Sequence, residues 1–297
     1  MDRIDAMRIF IKVVETGSLS AAARALHSPL PTVSRKITDL EESLGVRLMT
    51  RTNRNIVLTD AGHQYISDAR DILERLDEAE RRVSGEYLAP KGELAVTAPI
   101  VFGRLHALPV ISDFLKAFPA INMRLTLSDR NISLADEHID VALRIGELPD
   151  TNMIAIRVGQ VRNVVYASPD YLRRNMPPEH PRDLDKHQCV AFEGVQSAGY
   201  WLFRDDKKAI AVPIRPRLSV NTAEAAVDAA VNGLGLTRVM SYQARKSLDQ
   251  GLLVPLLEHF ELPAFPVHLI YLPNGVLPLK LRVFLDFAAP RLRSALR

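Results

Sequence analysis

The chain has 297 residues, of which 47% are hydrophobic, so it can form a small domain and a larger one, each with its own core. Its formal net charge of +3 at pH 7 is too small for a surface that binds nucleic acid throughout. The single cysteine, Cys189, excludes an internal disulfide framework and a cysteine-rich metal site, and the apolar run CVAF around it predicts a buried structural thiol rather than a reactive one.

The N-terminal stretch MDRIDAMRIF mixes charged and apolar residues and contains no apolar signal core. No run in the sequence approaches the ~18 apolar residues of a membrane span. We therefore expect a cytoplasmic protein without a membrane partner.

Three helices are predicted first, and the last two are short and joined by a tight turn at about His27 to Leu30. The first covers Ile4 to Glu15. The second begins at the N-cap Ser18 and has small apolar residues that allow close packing, namely Leu19, Ala22, Ala23 and Leu26. In the third, apolar residues recur at spacings of four, three and four: Val33, Ile37, Leu40 and Leu44. Two short helices joined in this way form a helix-turn-helix.

The opposite side of the third helix is polar, and its neighbourhood is basic. This free side carries Thr32, Arg35, Lys36 and Asp39. Between Arg24 and Arg54 there are six basic residues (Arg24, Arg35, Lys36, Arg47, Arg51, Arg54) against three acidic ones (Asp39, Glu41, Glu42). Such residues supply salt-sensitive affinity for phosphates, although any single arginine is equally well explained as a solvated surface residue.

The segments AAARAL, TVSRKITDLEESLGVRL and RTNRNIVLTDAG, in this order and spacing, resemble the N-terminal signature of the LysR-type transcriptional regulators, a large bacterial family. The resemblance implies a winged helix-turn-helix over residues 1–58. Its wing would run from Leu48 to Leu58, with two short strands anchored by Val46, Leu48, Ile56 and Leu58. The tip would lie at Arg51 to Asn55, and the phosphate or minor-groove contacts of the family's wings would fall to Arg51 and Arg54.

The start of the third helix departs from the family pattern. The family usually has a serine and then a polar residue there, whereas this chain has Pro29 and Leu30. Leu30 cannot donate a bidentate hydrogen bond to a base, but it can contact a thymine methyl group. The candidate DNA-binding residues are Ser18, Leu30, Pro31, Thr32, Ser34, Arg35, Lys36, Arg51 and Arg54.

A long helix is predicted from the N-cap Thr59 to about Leu88, within a linker segment of residues 59–91. Its apolar residues alternate spacings of four and three, as in a coiled coil: Tyr65, Ala69, Ile72, Leu76, Ala79 and Val83. This seam favours a dimerisation helix that joins two DNA-binding domains. The alternative is a solitary helix that lies on its own domain.

After the linker APKGE, strands and helices alternate, which predicts parallel sheets with helices on their faces. The first set comprises strands at residues 94–97, 121–127 and 140–145, a helix at 102–118 and a short helix before 140. The second comprises strands at 163–167, 189–192, 218–220 and 234–237, a hairpin within 201–217, and helices at 169–174, 222–231 and 240–247. A strand at 267–272 and a helix at 278–293 close the chain.

The predicted fold class is therefore α + α/β: a winged helix-turn-helix, a long linker helix and a two-lobed α/β domain over residues 92–297. Element order and the family resemblance together assign lobe I to about 92–160 and 267–297 and lobe II to about 161–266, with crossings near Gln160 and Pro266. The resemblance implies the arrangement of a periplasmic solute-binding protein.

A cleft between such lobes lies at the strand-to-helix turns, where helix N-termini offer free N–H groups. The candidate effector-binding residues are Thr97, Pro99, Ile100, Ser128, Arg144, Phe192, Asn221 and Thr237. Pro99 and Ile100 favour an apolar or aromatic ligand body. Arg144, inside the apolar run VALRIG, would bind a carboxylate of the effector or, more simply, Asp129, Asp140 or Glu147. For each residue an ordinary turn or cap is an equally good interpretation.

These observations predict a dimeric or tetrameric transcription factor that binds double-stranded operator DNA and a small-molecule effector. The family implies that the effector changes the spacing of the DNA-binding domains and contact with RNA polymerase. The alternative is a cytoplasmic solute-binding protein whose N-terminal helices serve association only. We expect no enzyme, metal or cofactor, since neither a G-x-S-x-G elbow nor a phosphate loop is present and the histidines lack metal spacing.

Overall fold

The computed structural model describes residues 2–51, 56–84, 89–130, 132–148, 152–193, 199–206, 208–273 and 277–296. The chain divides into two compact units, Met1–Ala89 and Pro90–Arg297. We refer to them as the head and the regulatory unit. None of the helices in the described part of the chain is long and apolar enough to cross a membrane.

Four helices and two short strands lie in the described part of the head. These are α1 (Arg3–Thr16), α2 (Leu19–Ala25), α3 (Leu30–Leu44), β1 (Met49–Arg51), β2 (Ile56–Leu58) and α4 (Asp60–Ser84). The predicted caps are confirmed: the Ser18 hydroxyl accepts from the Ala21 N–H at 3.5 Å and the Thr59 hydroxyl from the Gly62 N–H at 3.0 Å. Because each hydroxyl satisfies a donor that the helix itself leaves free, the two helices begin where predicted.

The core of the head is formed by the apolar faces of the helices. Its buried members are Ala6, Ile9, Phe10, Val13, Ala22, Ala23, Val33, Ile37, Leu40, Leu48, Met49 and Ile66. The predicted stripe of α3 is thus confirmed except at its end, where Leu44 is exposed. The prediction that Val46 anchors the wing is wrong, since Val46 is 44% exposed and β1 begins only at Met49. The Glu41 carboxylate instead holds the N–H groups of Leu48 and Met49, at 2.8 and 3.1 Å.

The apolar seam of α4 is packed on the head at one end and exposed further along. Near its start, Ala69 is buried and the Tyr65 ring lies 5.7 Å from the Phe10 ring of α1. This part of the seam packs on the head itself, as the alternative interpretation held. One turn later Ile72 is 48% exposed. Residues 85–88 and the side chain of Val83, which the prediction also included, lie outside the described residues.

The regulatory unit begins with β3 (Gly92–Ala98) and is built around two five-stranded sheets. Its further strands are β4 (Ile121–Leu127), β5 (Val141–Ile145), β6 (Ile154–Val161), β7 (Asn163–Ala167), β8 (Cys189–Phe192), β9 (Tyr200–Asp205), β10 (Lys208–Pro213), β11 (Pro216–Val220), β12 (Leu236–Met240), β13 (Val254–Leu256) and β14 (Phe265–Tyr271). Its α-helices are α5 (Ile100–Phe102), α6 (Leu108–Ala117), α7 (Pro169–Arg174), α8 (Ala223–Val231), α9 (Ser241–Asp249) and α10 (Leu279–Ala295). Short 3₁₀ segments cover Pro181–Lys186 and Glu258–Phe260.

The two sheets share one strand pattern. Their orders are β4-β3-β5-β14-β6 and β11-β8-β12-β7-β13, and β9 and β10 form a separate hairpin. In each sheet the first three strands are parallel, the fourth is antiparallel to the third, and the fifth is antiparallel to the fourth. The predicted parallel pairing is therefore confirmed for the first three strands of each sheet and wrong for the other two, because β7 and β14 each enter from the other sheet and run against their neighbours.

The chain passes from the first sheet to the second between Val161 and Asn163 and returns between Leu256 and Phe265. We call the parts around the first and second sheets lobe I and lobe II. Two strands, β6 and β13, were not predicted from the sequence. The strand predicted at 234–237 lies two or three residues later, in β12. Turns, not the predicted short helix, precede β5, and Leu134 and Ile139 there pack on Ala95 and Ala142.

The helix that follows β3 is irregular. Between α5 and α6, Gly103–Ala107 forms a π-helical turn. The helix predicted at 102–118 uses Leu105, Leu108, Ile111 and Phe114 as its apolar residues at helical spacing, but Leu105 and Leu108 are 41% and 44% exposed. An extra residue in one turn rotates the side chains around the helix, so a stripe counted at regular helical spacing fails there. Ile111 and Phe114, beyond the π turn, are buried as predicted.

Candidate nucleic-acid interface and effector cleft

The start of α3 is exposed to solvent. Pro29 stands at its N-cap, and the backbone of His27 in the preceding turn has a positive φ of 49°. Leu30 is 43% exposed, and Thr32 and Arg35 are exposed as well. Pro31, also exposed, follows Leu30 in the first turn. Because the buried face of α3 points to α1 and α2, these side chains form the solvent side of the helix.

The two predicted cations of α3 differ in their surroundings. Arg35 makes no ion pair with any residue that the structure describes, and its guanidinium is exposed to solvent. Lys36 is half-buried and forms an ion pair with Asp5 of α1. The expectation that Lys36 lies free beside Arg35 is therefore wrong, because its long side chain reaches the neighbouring helix.

Other candidates for DNA binding are tied to local structure. The Ser18 hydroxyl caps α2, and Ser34 is half-buried, with its carbonyl accepting from Thr38. Arg51 is the last residue of β1, and its side chain and all of Arg54 lie outside the described residues. A shallow depression of about 590 Å³ lies beside the exposed start of α3. It is lined by Ser20, Ala23, Arg24, His27, Ser28, Pro29 and Leu30. Sequence reasoning counted Arg24 as basic but did not place it beside Leu30.

In lobe I the polar groups of the candidate effector-binding residues form hydrogen bonds within the chain itself. The buried Thr97 hydroxyl donates to the Thr126 carbonyl at 3.0 Å. The Ser128 hydroxyl accepts from the Arg130 N–H at 3.2 Å. Pro99 has no N–H, and the Ile100 N–H donates to the Asp129 carboxylate at 3.0 Å. Sequence reasoning missed Asp129 as a cap of this helix, because it lies 29 residues further along the chain.

In lobe II some of the candidate effector-binding residues are buried and bonded within the chain, and others are accessible to solvent. The Thr237 hydroxyl is buried and donates to the Val190 carbonyl at 3.2 Å. Phe192, at the end of β8, is half-buried, and Asn221, after β11, is exposed. Thr222 caps α8 through the Ala225 N–H at 3.3 Å. Asn221 is thus the predicted polar residue of this lobe that remains accessible to a ligand.

The two lobes meet at the helix that follows β3. Val101 belongs to the apolar core of lobe II, and the Phe102 ring lies edge-on to Tyr242 of α9 at 5.4 Å. The His106 ring is 5.6 Å from that of Tyr242. Burial raises the pKa of the Tyr242 hydroxyl, and the carboxylates of Asp129 and Glu224 raise this pKa further. Burial lowers the pKa of His106.

An ion pair also joins the lobes here, between Arg104 and Glu224 at 3.5 Å. The helix that follows β3 is therefore brought against α8 and α9 of lobe II. Aromatic rings and one ion pair lie at this junction.

Arg144 has a different partner from those predicted. Its guanidinium donates to the Ile132 carbonyl at 3.0 Å, and no ion pair joins it to Asp129, Asp140 or Glu147. The Asp140 carboxylate accepts instead from the Ala95 N–H at 2.7 Å. Arg144 lies opposite His268 in the register of β5 and β14. Burial lowers the pKa of Arg144, which fits a guanidinium that is held by a carbonyl rather than by a charge.

Cys189 is buried, as predicted, and burial raises the pKa of its thiol to about 12. A thiol of this pKa is protonated at neutral pH and reacts poorly. Among the residues that the structure describes, no group of three or more histidine, cysteine, aspartate or glutamate side chains is placed to hold a metal ion.

Two protein families match this chain. The family described as "LysR substrate binding domain" matches residues 89–293, and the one described as "Bacterial regulatory helix-turn-helix protein, lysR family" matches residues 4–63. An HTH-type transcriptional regulator of Xanthomonas campestris is 33% identical over 288 residues, which cover 96% of this chain and 84% of that protein.

The transcriptional regulator CrgA of Neisseria meningitidis is 33% identical over 294 residues, which cover 98% of this chain and 97% of that protein. The solved structure of CrgA has a TM-score of 0.62 at 31% identity and covers 97% of this chain and 98% of its own. The full-length Vibrio cholerae virulence activator AphB has a TM-score of 0.61 at 27% identity, with coverage of 96% and 97%. Sequence and fold thus agree over nearly the whole length.

Proposed function

The chain belongs to the LysR family of bacterial transcriptional regulators, and from that premise we propose that the exposed start of α3 reads its operator. The match over residues 4–63 favours a DNA-binding regulator over a solute-binding protein whose N-terminal helices serve association only. The match over residues 89–293 assigns effector binding to the regulatory unit. The relatives reported above are transcriptional regulators, so regulation rather than catalysis is the activity to test.

One observation carries the DNA-reading proposal: Leu30, Thr32 and Arg35 are exposed on α3 while Val33 and Ile37 are buried. An arginine in the major groove donates two hydrogen bonds to guanine, and an aliphatic side chain contacts the thymine methyl group. Arg35 donates to none of the residues that the structure describes, so its donors are free for such a contact within that part of the chain. The position of Leu30 favours a thymine in the half-site.

Phosphate contacts are a separate part of the proposal. We infer that Arg24 contacts phosphates together with Arg51 and Arg54, since it lies beside Leu30 in the same depression. Ser18, Pro31 and Ser34 remain in the predicted DNA-binding set without an assigned contact. Contacts of this kind position the head but do not read bases. Lys36 contributes less than Arg35, because its ammonium is already paired with Asp5.

The linker helix supports a homo-oligomer. Ile72 is 48% exposed on the seam that Tyr65 and Ala69 begin, and an exposed isoleucine on a heptad seam is stabilised by a second copy of the helix. Two heads joined in this way would place their recognition helices in successive major grooves, about one helical turn apart, on a partly palindromic operator. A regulator of this kind works where bacterial DNA lies, so we infer a cytoplasmic location and contact with RNA polymerase.

The effector site is proposed at the junction of the lobes, among Pro99, Ile100, Ser128, Phe192 and Asn221. Pro99 and Ile100 present apolar surface, and Asn221 offers an exposed amide. Thr97, Thr237 and Arg144 were also candidates. We assign them a structural role, because each donates a hydrogen bond to a backbone carbonyl.

The DNA-reading proposal is tested by fluorescence anisotropy of the full chain. The duplex is selected by this protein from a random library, and its affinity is compared with that of an unrelated duplex over a series of salt concentrations. We expect Arg35→Ala to weaken specific binding by about tenfold or more and to reduce discrimination at one base pair. Leu30→Ala should relax the preference for thymine at a neighbouring position.

Arg245→Ala is the matched control, since Arg245 is an exposed arginine of the regulatory unit that is paired with Asp249. It removes the same charge and should leave DNA binding unchanged. Equal loss in both arginine variants, or no loss in Arg35→Ala, would contradict the proposal. A library from which no duplex is enriched at any salt concentration would contradict DNA reading by this chain altogether.

A further inference from the structure

The π-helical turn of lobe I holds a histidine at the contact between the two lobes. The His106 ring lies 4.8 Å from the Phe102 ring and 5.6 Å from the Tyr242 ring of α9 in lobe II. Tyr242 packs on the apolar core of lobe I, and Val101, one turn before His106, is buried in the core of lobe II. Each lobe therefore places a side chain in the core of the other, and His106 borders this contact.

His106 has no polar partner among the residues that the structure describes. Its Nε2 atom is buried and forms no hydrogen bond with any of them. A neutral imidazole can occupy such a place, because it carries no charge and only one N–H donor. An imidazolium has two donors and a full charge, so it requires acceptors or water around it. The contact between the lobes is thus suited to the neutral ring alone.

The two carboxylates described at this contact have other partners. Glu224 of α8 is paired with Arg104 at 3.5 Å, and the Asp129 carboxylate accepts from the Ile100 N–H at 3.0 Å. Tyr242 stays neutral, because burial raises the pKa of its hydroxyl. An imidazolium at His106 would therefore have to displace one of these partners to gain a counter-charge.

The other elements that pack against the π turn or against Tyr242 carry further charges. These are Glu93 of β3, Asp113 and Lys116 of α6, Asp228 of α8, Arg245, Lys246 and Asp249 of α9, and Lys280, Arg282, Asp286, Arg291 and Arg293 of α10. Burial is the one cause that lowers the pKa of His106, and no charge in the described part of the chain adds to it or opposes it.

We propose that His106 makes the contact between the lobes sensitive to pH: the neutral ring allows the lobes to pack together, and protonation of the ring separates them. In separated lobes the ring is hydrated and has the ordinary histidine pKa of 6.5. Since the packed lobes bind this proton less readily, a fall in pH below 6.5 favours the separated lobes. The regulatory unit thereby responds to acid independently of its effector.

The test is oxidative footprinting of the full chain with hydroxyl radicals, read by mass spectrometry at about pH 8 and about pH 5.5. Phe102 is the reporter, because it is fully buried and its ring lies edge-on to that of Tyr242 at 5.4 Å. We expect its oxidation to rise by up to about tenfold at the lower pH, since one pH unit below 6.5 shifts a histidine equilibrium by that factor. Phe114 and Phe203, each buried within a single lobe, are references that should not change.

His106→Gln removes the titrating group and should abolish the rise at Phe102. His106→Phe, which keeps a ring but cannot be protonated, should do the same if the first variant folds poorly. His268→Gln is the matched control: burial also lowers the pKa of His268, and its buried Nδ1 has no partner among the described residues, but it lies in β14 within the sheet of lobe I. This variant should keep the rise.

Three outcomes would overturn the proposal. Oxidation of Phe102 that is equal at both pH values would mean that the surrounding rings hold the imidazolium between packed lobes. A rise that persists in both His106 variants, or disappears in His268→Gln, would assign the response to another group. A parallel rise at Phe114 and Phe203 would mean that acid unfolds the lobes instead of separating them.

Discussion

Arg35 of the head and two arginines of the regulatory unit, Arg144 and Arg238, are used in opposite ways. Arg35 in the head is exposed and unpaired among the described residues. In the regulatory unit Arg238 is only 4% exposed, with its guanidinium 4.7 Å above the Phe203 ring, and Arg144 donates to the Ile132 carbonyl. An exposed guanidinium keeps its donors for a ligand, whereas a buried one contributes packing or a hydrogen bond to the fold.

The surroundings of Arg238 show how far this structural use goes. Burial lowers its pKa to about 10, and the nearby carboxylate of Glu261 opposes that shift. Glu261 itself forms an ion pair with Arg162, at 3.1 Å, beside the point where the chain crosses between the lobes. Basic residues in the two units therefore cannot be assigned functions from their charge alone. Their burial decides whether they serve a ligand or the fold.

The largest expected effect tests whether the head folds independently of the regulatory unit. A Cβ at Gly62 would overlap the backbone carbonyl of Leu48, which cannot move without disturbing the wing. Gly62→Ala should therefore destabilise the head by more than about 3 kcal/mol. The loss of helix is followed by circular dichroism. Trp201, the chain's one tryptophan, is buried in lobe II and reports separately on the regulatory unit.

In Gly62→Ala the melting transition of Trp201 fluorescence should stay where it is in the wild-type protein. Gly17→Ala is the control: a Cβ there meets no atom within 4 Å, but the backbone is left-handed, with φ at +66°. Gly17→Ala should lower the free energy of unfolding of the head by only about 1–2 kcal/mol. A shift of the Trp201 transition in Gly62→Ala would contradict the independence of the two units.

The second effect sharpens the contrast between the arginines. Arg238→Ala should destabilise the regulatory unit by about 2 kcal/mol, because it removes packing on Phe203 and a cation near Glu261. Urea denaturation followed by Trp201 fluorescence measures the loss. Arg238→Met retains more of the side-chain volume and should destabilise the regulatory unit less than Arg238→Ala. Arg35→Ala should change the stability of the head by less than about 0.5 kcal/mol, and equal losses at both arginines would remove the distinction drawn here.

The smallest expected effect is a pH dependence of the regulatory unit. Burial lowers the pKa of His106, His187 and His268 from the ordinary value of 6.5. Between each lowered pKa and 6.5 the unfolded chain binds more protons than the folded one, so stability is present above pH 6.5 and is lost as the pH falls below it. The Trp201 transition should therefore come at lower temperature at about pH 6 than at about pH 8.

Replacing one of these histidines by a neutral side chain should reduce this pH dependence, and His106→Gln is the variant to use. Burial raises the pKa of Glu261 above its ordinary 4.5, which acts in the opposite direction but in a lower pH range. A Trp201 transition that is as stable at about pH 6 as at about pH 8 would show that these rings are solvated in the folded protein.

Most of the head could be predicted from sequence because its elements are local. The spacing of Val33, Ile37 and Leu40 identified the buried face of α3, and Ser18 and Thr59 located two helix starts through contacts only three residues long. The ion pair between Lys36 and Asp5 was not predictable in this way, because the two residues are 31 positions apart. Only the packing of α3 on α1 brings them together.

In the regulatory unit the strand-helix alternation predicted two α/β lobes, and β4, β7, β8 and α7 lie where expected. Two strands, β6 and β13, escaped notice, as did the antiparallel entry of β7 and β14. Each of these depends on which strands become neighbours after the chain has crossed between the lobes. Hydrophobic periodicity describes the faces of a strand but not its neighbours.

For this protein, the sequence alone determined the family signature, the helices of the head and the exposed start of α3, since each is encoded within one turn or one short motif. The tertiary structure alone decided how the polar groups are used. It directed Arg144 to a carbonyl, Arg238 to a buried ring and Asp129 to the Ile100 N–H. A polar side chain bonds to whatever donor or acceptor lies within about 3 Å, and distant segments supply that partner only once the sheets have formed.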